Sequence, residues 1–126
     1  MVRSLKIPTA EEILRIKAFL IVKRNTTRDF IDFIALIDHL GTRRSLEALA
    51  TLDSCYPQKG DQSVSQQLVL QLAEPKPWDL HQTDLSSYKK LKAPYTDWDE
   101  IQKRALAASQ KILVAALIKQ AKSYYT

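Results

Sequence analysis

Glycine scarcity narrows the folds open to this chain more than any other feature of its sequence. Only 2 of the 126 residues are glycine. Tight β-hairpins and phosphate-cradling loops need glycine, because it adopts positive φ and lets the backbone approach a ligand closely. We therefore predict a fold built from helices, with no Gly-rich nucleotide loop.

Apolar residues recur three and four positions apart along most of the chain, and capping residues and prolines separate the segments. We predict an all-α fold with five main helices, over residues 10–24, 28–40, 43–56, 63–73 and 97–122. The first two form an αα-hairpin at 10–40, and a long irregular loop at 74–94 precedes the long C-terminal helix. A chain of this length usually builds one core, so residues 1–126 are predicted to be a single helical domain with an extended lead-in at 1–8.

The C-terminal helix contains the longest apolar run, Ile112 to Ile118. Because this run is apolar on every side, it lies either at the centre of the core or at an oligomer interface. It is far shorter than the ~20 residues that span a bilayer. The start of the chain has no signal-peptide pattern, and the single cysteine, Cys55, excludes an internal disulfide. We predict a soluble, cytoplasmic protein with no membrane partner.

Positive charge is concentrated at the start of the sequence. Residues 1–28 hold seven basic and two acidic residues, which accounts for the whole net charge of +5, whereas residues 29–126 hold twelve of each sign. A nucleotide or nucleic acid would therefore bind through residues 1–28. The alternative is that these charges only solvate a helix face.

Three charged side chains stand out within this segment and just beyond it. Lys17 and Arg24 lie seven residues apart on one face of the first predicted helix, and Asp29 lies in the first turn of the second. An αα-hairpin would bring them together, either as an ion-pair network that locks the hairpin or as a cluster facing an anionic ligand such as a nucleoside triphosphate. The sequence has no zinc-ligand spacing and no nucleophile elbow, so we predict neither a metal nor a cofactor.

The same segment resembles the helical half of AbiEii-like nucleotidyltransferases, the toxin family of abortive-infection systems. In that family a strand ending in proline leads into a helix with Lys-x6-Arg, and Arg-Asp-x2-Asp follows. The matching positions here are Val2–Pro8 for the lead-in, Lys17 and Arg24 for the first motif, and Arg28, Asp29 and Asp32 for the second. The resemblance implies that Lys17, Arg24 and Asp29 bind nucleotide, and that Arg28 and Asp32 stabilise the hairpin.

The catalytic half of that family, with its Gly-Ser turn and strand-borne carboxylates, has no counterpart in this sequence. The resemblance therefore implies the C-terminal helical domain of a truncated or split nucleotidyltransferase, which is not an enzyme in isolation. Its partner would be a separately encoded catalytic half or a second copy of the chain, and only such a complex would transfer nucleotides. The alternative is a non-enzymatic helical binding module that uses residues 1–28 to contact nucleic acid or a protein.

Overall fold

Helices form the framework of the fold, as the glycine-poor sequence predicts. The computed structural model describes residues 7–83, 85 and 91–124. In chain order the helices are α1 (Ala10–Arg24), α2 (Thr27–Leu40), α3 (Thr42–Leu49), α4 (Leu52–Cys55), α5 (Val64–Ala73) and α6 (Trp98–Ser123), with a 3-10 turn at Leu80–Gln82. These residues contain no strand, and the predicted all-α fold is confirmed. The predicted lead-in at 1–8 lies outside them, except for its last two residues.

Side-chain caps place the ends of the first two helices close to their predicted positions. The Thr9 hydroxyl oxygen accepts a hydrogen bond of 3.1 Å from the backbone N–H of Glu12, and α1 begins there. Asn25 ends α1 in the left-handed conformation, at a φ of 52° that asparagine adopts more readily than most residues. Thr26 then accepts from the backbone N–H of Asp29 at 3.3 Å, so α2 begins after a link of two residues.

The predicted third helix is split in two. Its predicted span of 43–56 is occupied by α3 and the single turn of α4, with Ala50 and Thr51 between them. The Thr51 hydroxyl donates a hydrogen bond of 3.1 Å to the carbonyl oxygen of Ala48. A threonine side chain that bonds a nearby carbonyl competes with the helix for backbone hydrogen bonds, which accounts for the break.

One hydrophobic core joins all six helices. Its largest fully buried side chains are Phe30 and Phe33 of α2, and the Trp98 ring meets Phe30 edge-on at a centroid distance of 6.2 Å. The α6 helix contributes a stripe of small and branched residues at helical spacing: Ile101, Ala105, Ala108 and Ile112. These four positions face the core, mainly against α5 and α2.

The α6 helix extends past the core that it packs on. From Leu113 to Tyr124 none of its residues is buried. The apolar run of 112–118 is therefore not central in the core, because Ile112 is its only buried residue. The fold leaves the rest of this run at the surface.

Candidate functional site

The first candidate site is the turn between α1 and α2, where the hairpin brings Arg24 and Asp29 into direct contact. The Arg24 guanidinium donates two hydrogen bonds to the Asp29 carboxylate, at 2.7 and 3.1 Å. Asp29 is fully buried, and the Thr26 hydroxyl donates a further bond to it at 2.7 Å. The hydrogen bonds from Arg24 to Asp29 and the charge of that carboxylate raise the pKa of Arg24 above its ordinary value.

Lys17 lies two helical turns before Arg24 on the same face of α1 and pairs with a different carboxylate. Its ammonium nitrogen is 3.0 Å from Asp32 of α2. Asp32 also receives the Nε–H of Arg28, one helical turn earlier, at 3.0 Å. The Asp32 carboxylate therefore links α1 to α2, because it pairs with one cation from each helix.

The link between the two helices is held by a segment about fifty residues further along the chain. Asp79 accepts hydrogen bonds of 2.8 Å from both the backbone N–H and the hydroxyl of Thr27, at the start of α2. Burial raises the pKa of Asp79, but the bonds from Thr27 outweigh it and leave that pKa below its ordinary value. Asn25 donates to the carbonyl oxygen of Lys76 at 2.9 Å, so the turn is fixed from both sides.

The cations that the structure describes within residues 1–28 all contact acceptors of the protein itself. Besides the three pairs above, Arg15 donates to the carbonyl oxygen of Ala48, and Lys23 donates to Gln58. An anionic ligand would have to displace these internal acceptors. The geometry is that of an ion-pair network that locks the hairpin, and a nucleotide-binding role for Lys17, Arg24 and Asp29 stays an untested prediction.

The described residues contain no candidate metal site. They hold no group of three or more histidine, cysteine or acidic side chains that could bind a metal ion. His39 and His81 are both exposed and lie on different elements. The exposed Cys55 thiol lies 3.9 Å from the Thr51 hydroxyl and has no neighbouring base among its recorded contacts.

A second polar cluster, which the sequence reasoning missed, fastens α6 to α2. Asp38 accepts a 2.8 Å bond from the Tyr95 hydroxyl and a 2.6 Å bond from Arg104 of α6. Arg104 also pairs with Glu100, one turn away on α6. Burial, and then the hydrogen bond to Asp38, raise the pKa of Tyr95. The cluster orients α6 on the core.

Among the residues that the structure describes, the outer face of α6 presents an adjoining set of exposed apolar side chains. Four large apolar side chains there are about half exposed, and we call them the α6 stripe: Leu113 (47%), Val114 (53%), Leu117 (55%) and Ile118 (51%). Leu113 and Leu117 lie one turn apart, as do Val114 and Ile118, so the four side chains form one patch. Leu106, two turns before Leu113, is 43% exposed and continues it. Adjoining exposed apolar residues mark a contact surface more often than scattered ones do.

Shallow grooves run along both sides of the α6 stripe. One, of about 390 Å³, is lined by Leu46 of α3 together with Val114, Ala115 and Ile118. Another, of about 360 Å³, lies on the opposite side between α5 and Leu113. A third, of about 400 Å³, lies between α3 and the end of α6 and includes Lys119 in its wall. The walls of these grooves are mostly aliphatic, so they suit an apolar occupant.

Two lysines lie on or beside the face of α6 that carries the stripe. Residues 101–126 contain five basic and no acidic residues. Lys103 lies on the same face as Leu117, and Lys111 lies beside Ile118, seven residues before it. Arg104 is engaged with Asp38 and Glu100, whereas Lys103 and Lys111 form no ion pair within the part of the chain that the structure describes. No helix in that part is long and apolar enough to cross a membrane.

Sequence comparison identifies mycobacterial transport proteins as relatives. The chain is 35% identical over 114 residues to the mycolic acid-containing lipids exporter MmpL11 of Mycolicibacterium smegmatis, which covers 89% of this chain and 12% of the exporter. It is 34% identical over 114 residues to the heme uptake protein MmpL11 of Mycobacterium tuberculosis, with coverages of 89% and 11%. The probable transport protein MmpL11 of Mycobacterium leprae is 31% identical over 116 residues, with the same coverages.

The chain thus spans only 11–12% of the length of these curated relatives. No family model matches the chain, and no solved structure matches it significantly.

These relatives overturn the resemblance to AbiEii-like nucleotidyltransferases, which is wrong. Similarity to MmpL11 proteins extends over most of the chain, whereas that resemblance depended on the lead-in at Val2–Pro8 and a few charged positions between residues 17 and 32. The assignment as a truncated or split nucleotidyltransferase half, and with it the link to abortive-infection toxins, is wrong for the same reason. The physical cause of the error is now visible, because the spacing of Lys17, Arg24, Asp29 and Asp32 is what an interhelical ion-pair network requires.

Proposed function

We propose that this chain is a helical domain of an MmpL11-like transport protein, and that it positions or docks the transporter rather than forming the route through the membrane. The observation that carries the proposal is the 35% identity over 114 residues to the M. smegmatis lipid exporter. Identity at this level over nearly the whole chain favours a shared helical fold in the matching region of the exporter.

The fold supports a binding role over a catalytic one. The polar side chains at the α1–α2 turn and those around Asp38 bond within their own clusters, and the described residues offer no metal group. The outer face of α6, in contrast, presents adjoining exposed apolar side chains. A transport protein can use such a surface to hold a domain against another component. We further propose that residues 1–126 form one domain and that it lies in the cytoplasm, where a single free cysteine such as Cys55 is chemically safe.

The relatives' names point to two kinds of cargo, lipid and haem. Haem iron is usually held by histidine, cysteine, methionine or tyrosine. Within the described part of the chain, none of these residue types lines the three grooves beside α6. The aliphatic walls favour the lipid class, and we propose lipid as the cargo of the whole protein.

A chimera tests the proposal. In M. smegmatis, the matched 114-residue segment of MmpL11 is deleted or replaced by the present chain, and export of mycolic acid-containing lipids is measured by thin-layer chromatography. We expect the deletion to lower export and the replacement to restore most of it. A matched chimera carrying Phe30→Asp, which places a charge in the core, should not restore export.

Two outcomes would contradict the proposal. One is normal export from the deletion strain, which would mean that the segment has no part in transport. The other is a chimera as inactive as the deletion although immunoblotting finds it in the membrane at the native level.

A further inference from the structure

The α6 helix presents apolar residues on two opposite faces, and the core covers only one of them. Ile101, Ala105, Ala108 and Ile112 are buried on the inner face, whereas the α6 stripe on the outer face is about half exposed. An exposed apolar face of this kind on an otherwise well-packed helix costs hydration free energy unless a partner covers it. The question is what that partner is.

Charge around the stripe argues against a second copy of the chain. Lys103 lies on the same face of α6 as Leu117, Lys111 lies beside Ile118, and no acidic residue occurs between Ile101 and the end of the sequence. Two copies packed through the stripe would bring these lysines together with no carboxylate to offset them. The partner therefore carries negative charge.

The composition of the stripe distinguishes a membrane surface from an acidic protein. Protein interfaces carry about one hydrogen bond per 100–200 Å², yet Leu113, Val114, Leu117 and Ile118 have no polar side-chain atoms. A bilayer interface needs no directional bonds, because its hydrocarbon accepts apolar side chains and its headgroups accept lysines that extend toward them. Tyr124, 77% exposed and seven residues after Leu117, falls on the same face, and tyrosine favours the headgroup level.

We propose that the outer face of α6 docks on the surface of an anionic lipid bilayer, with the α6 stripe inserted at the headgroup boundary and Lys103 and Lys111 contacting lipid phosphates. The helix lies in the plane of the interface and does not cross it. The prediction that the protein has no membrane partner came from the absence of a membrane-spanning run, and a helix of this kind needs none. The proposal depends on the residues of α6 alone, so it can fail while the proposed transport role stands.

Vesicle co-sedimentation with the purified full chain tests the proposal. The probes are vesicles of phosphatidylcholine alone and vesicles of equal parts phosphatidylcholine and phosphatidylglycerol. We expect binding to the anionic vesicles to exceed binding to the neutral ones by at least about tenfold, since each lysine near an anionic surface contributes about fivefold. Raising the salt concentration should weaken binding.

Two pairs of variants separate the apolar and the electrostatic contributions. Leu117→Ser with Ile118→Ser should lower binding at least about tenfold, because two half-buried aliphatic side chains leave the interface. Its control is Trp78→Ser, which alters an exposed apolar side chain elsewhere (64% exposed) and should leave binding unchanged. Lys103→Glu with Lys111→Glu should also lower binding at least about tenfold, whereas Lys59→Glu, in the exposed turn before α5, should have little effect. Circular dichroism checks that each variant is folded.

Four outcomes would contradict the proposal. The first is no binding to anionic vesicles, and the second is equal binding by the α6 variants and their controls. The third is a dimer in light scattering without lipid that Leu117→Ser with Ile118→Ser converts to a monomer, since a second copy would then cover the stripe. Salt-insensitive binding to both kinds of vesicle would also contradict the role of the lysines.

Discussion

The α1–α2 turn and the outer face of α6 differ in whether their side chains are covered by the rest of the protein. At the turn, Asp29 is fully buried and bonded to Arg24 and Thr26, and Asp79 reaches across from a distant segment to bond Thr27. On the outer face of α6, four large aliphatic side chains are about half exposed, and Lys103 and Lys111 beside them form no ion pair with any residue that the structure describes. The charged residues of the hairpin, which look most functional in the sequence, bond to other residues of the same fold. The apolar residues of the α6 stripe, which look like core residues in the sequence, are exposed at the surface.

The largest effect is expected at the hairpin. Asp29→Ala removes a buried carboxylate and leaves the hydrogen-bond donors of Arg24 and Thr26 without their acceptor. We expect a loss of roughly 2–4 kcal/mol in the free energy of unfolding, measured by urea denaturation. The matched control is Glu47→Ala, which breaks an exposed i,i+4 pair with Arg43 and should change stability by less than about 0.5 kcal/mol. Equal losses from the two variants would show that the hairpin network is no more than surface charge.

An intermediate effect is expected at Asp79, whose contribution to stability depends on pH. The folded-state pKa of Asp79 lies below its ordinary value, so its ionised form stabilises the folded state. That contribution is complete above the ordinary pKa of 3.8 and is lost as the pH falls through the lower folded-state pKa. Asp79→Ala should cost about 1 kcal/mol at neutral pH, as the loss of a helix cap does. The difference between the variant and the native chain should shrink below about pH 4, measured by thermal denaturation across pH. A difference that does not change with pH would contradict this role of the carboxylate.

Helix ends were predictable where a side chain caps them locally. Thr9 bonds a backbone N–H in the first turn of α1, and Asn25 ends the helix in the left-handed conformation. Both are local signals, and α1 begins and ends where predicted. The long C-terminal helix is displaced by only one residue at each end. The break at Thr51 was missed because a threonine hydroxyl can point to solvent or to a carbonyl, and the sequence does not determine which.

The candidate sites were predictable only in part, because pairing across the fold depends on packing. The proximity of Lys17, Arg24 and Asp29 follows from the hairpin, but the pairing of Lys17 with Asp32 depends on how the two helices are rotated. The bond from Thr27 to Asp79 joins residues 52 positions apart, and no local pattern signals it. The apolar run at 112–118 was visible, and the alternative of an exposed interface was stated for it. Which of its residues face outward became clear only once Ile112 was placed in the core.

The smallest effect on stability is expected on the outer face of α6. Leu117→Ser should change the free energy of unfolding by less than about 0.5 kcal/mol, because the side chain is already 55% exposed. Ile112→Ala, five residues earlier but only 6% exposed, should cost about 2–4 kcal/mol. Urea denaturation of the two variants compares them directly. A large loss from Leu117→Ser would mean that the outer face of α6 is part of the core after all.

The central claim is that the outer face of α6 is the binding surface of this protein. Amide hydrogen exchange of the full chain, with and without anionic phosphatidylglycerol vesicles, tests it most directly. Protection should increase in residues 106–124 when vesicles are added, because the interface shields the helix and suppresses its opening. The hairpin at 10–40 should exchange at the same rate in both conditions. Unchanged exchange in α6, or new protection confined to the hairpin, would contradict the account.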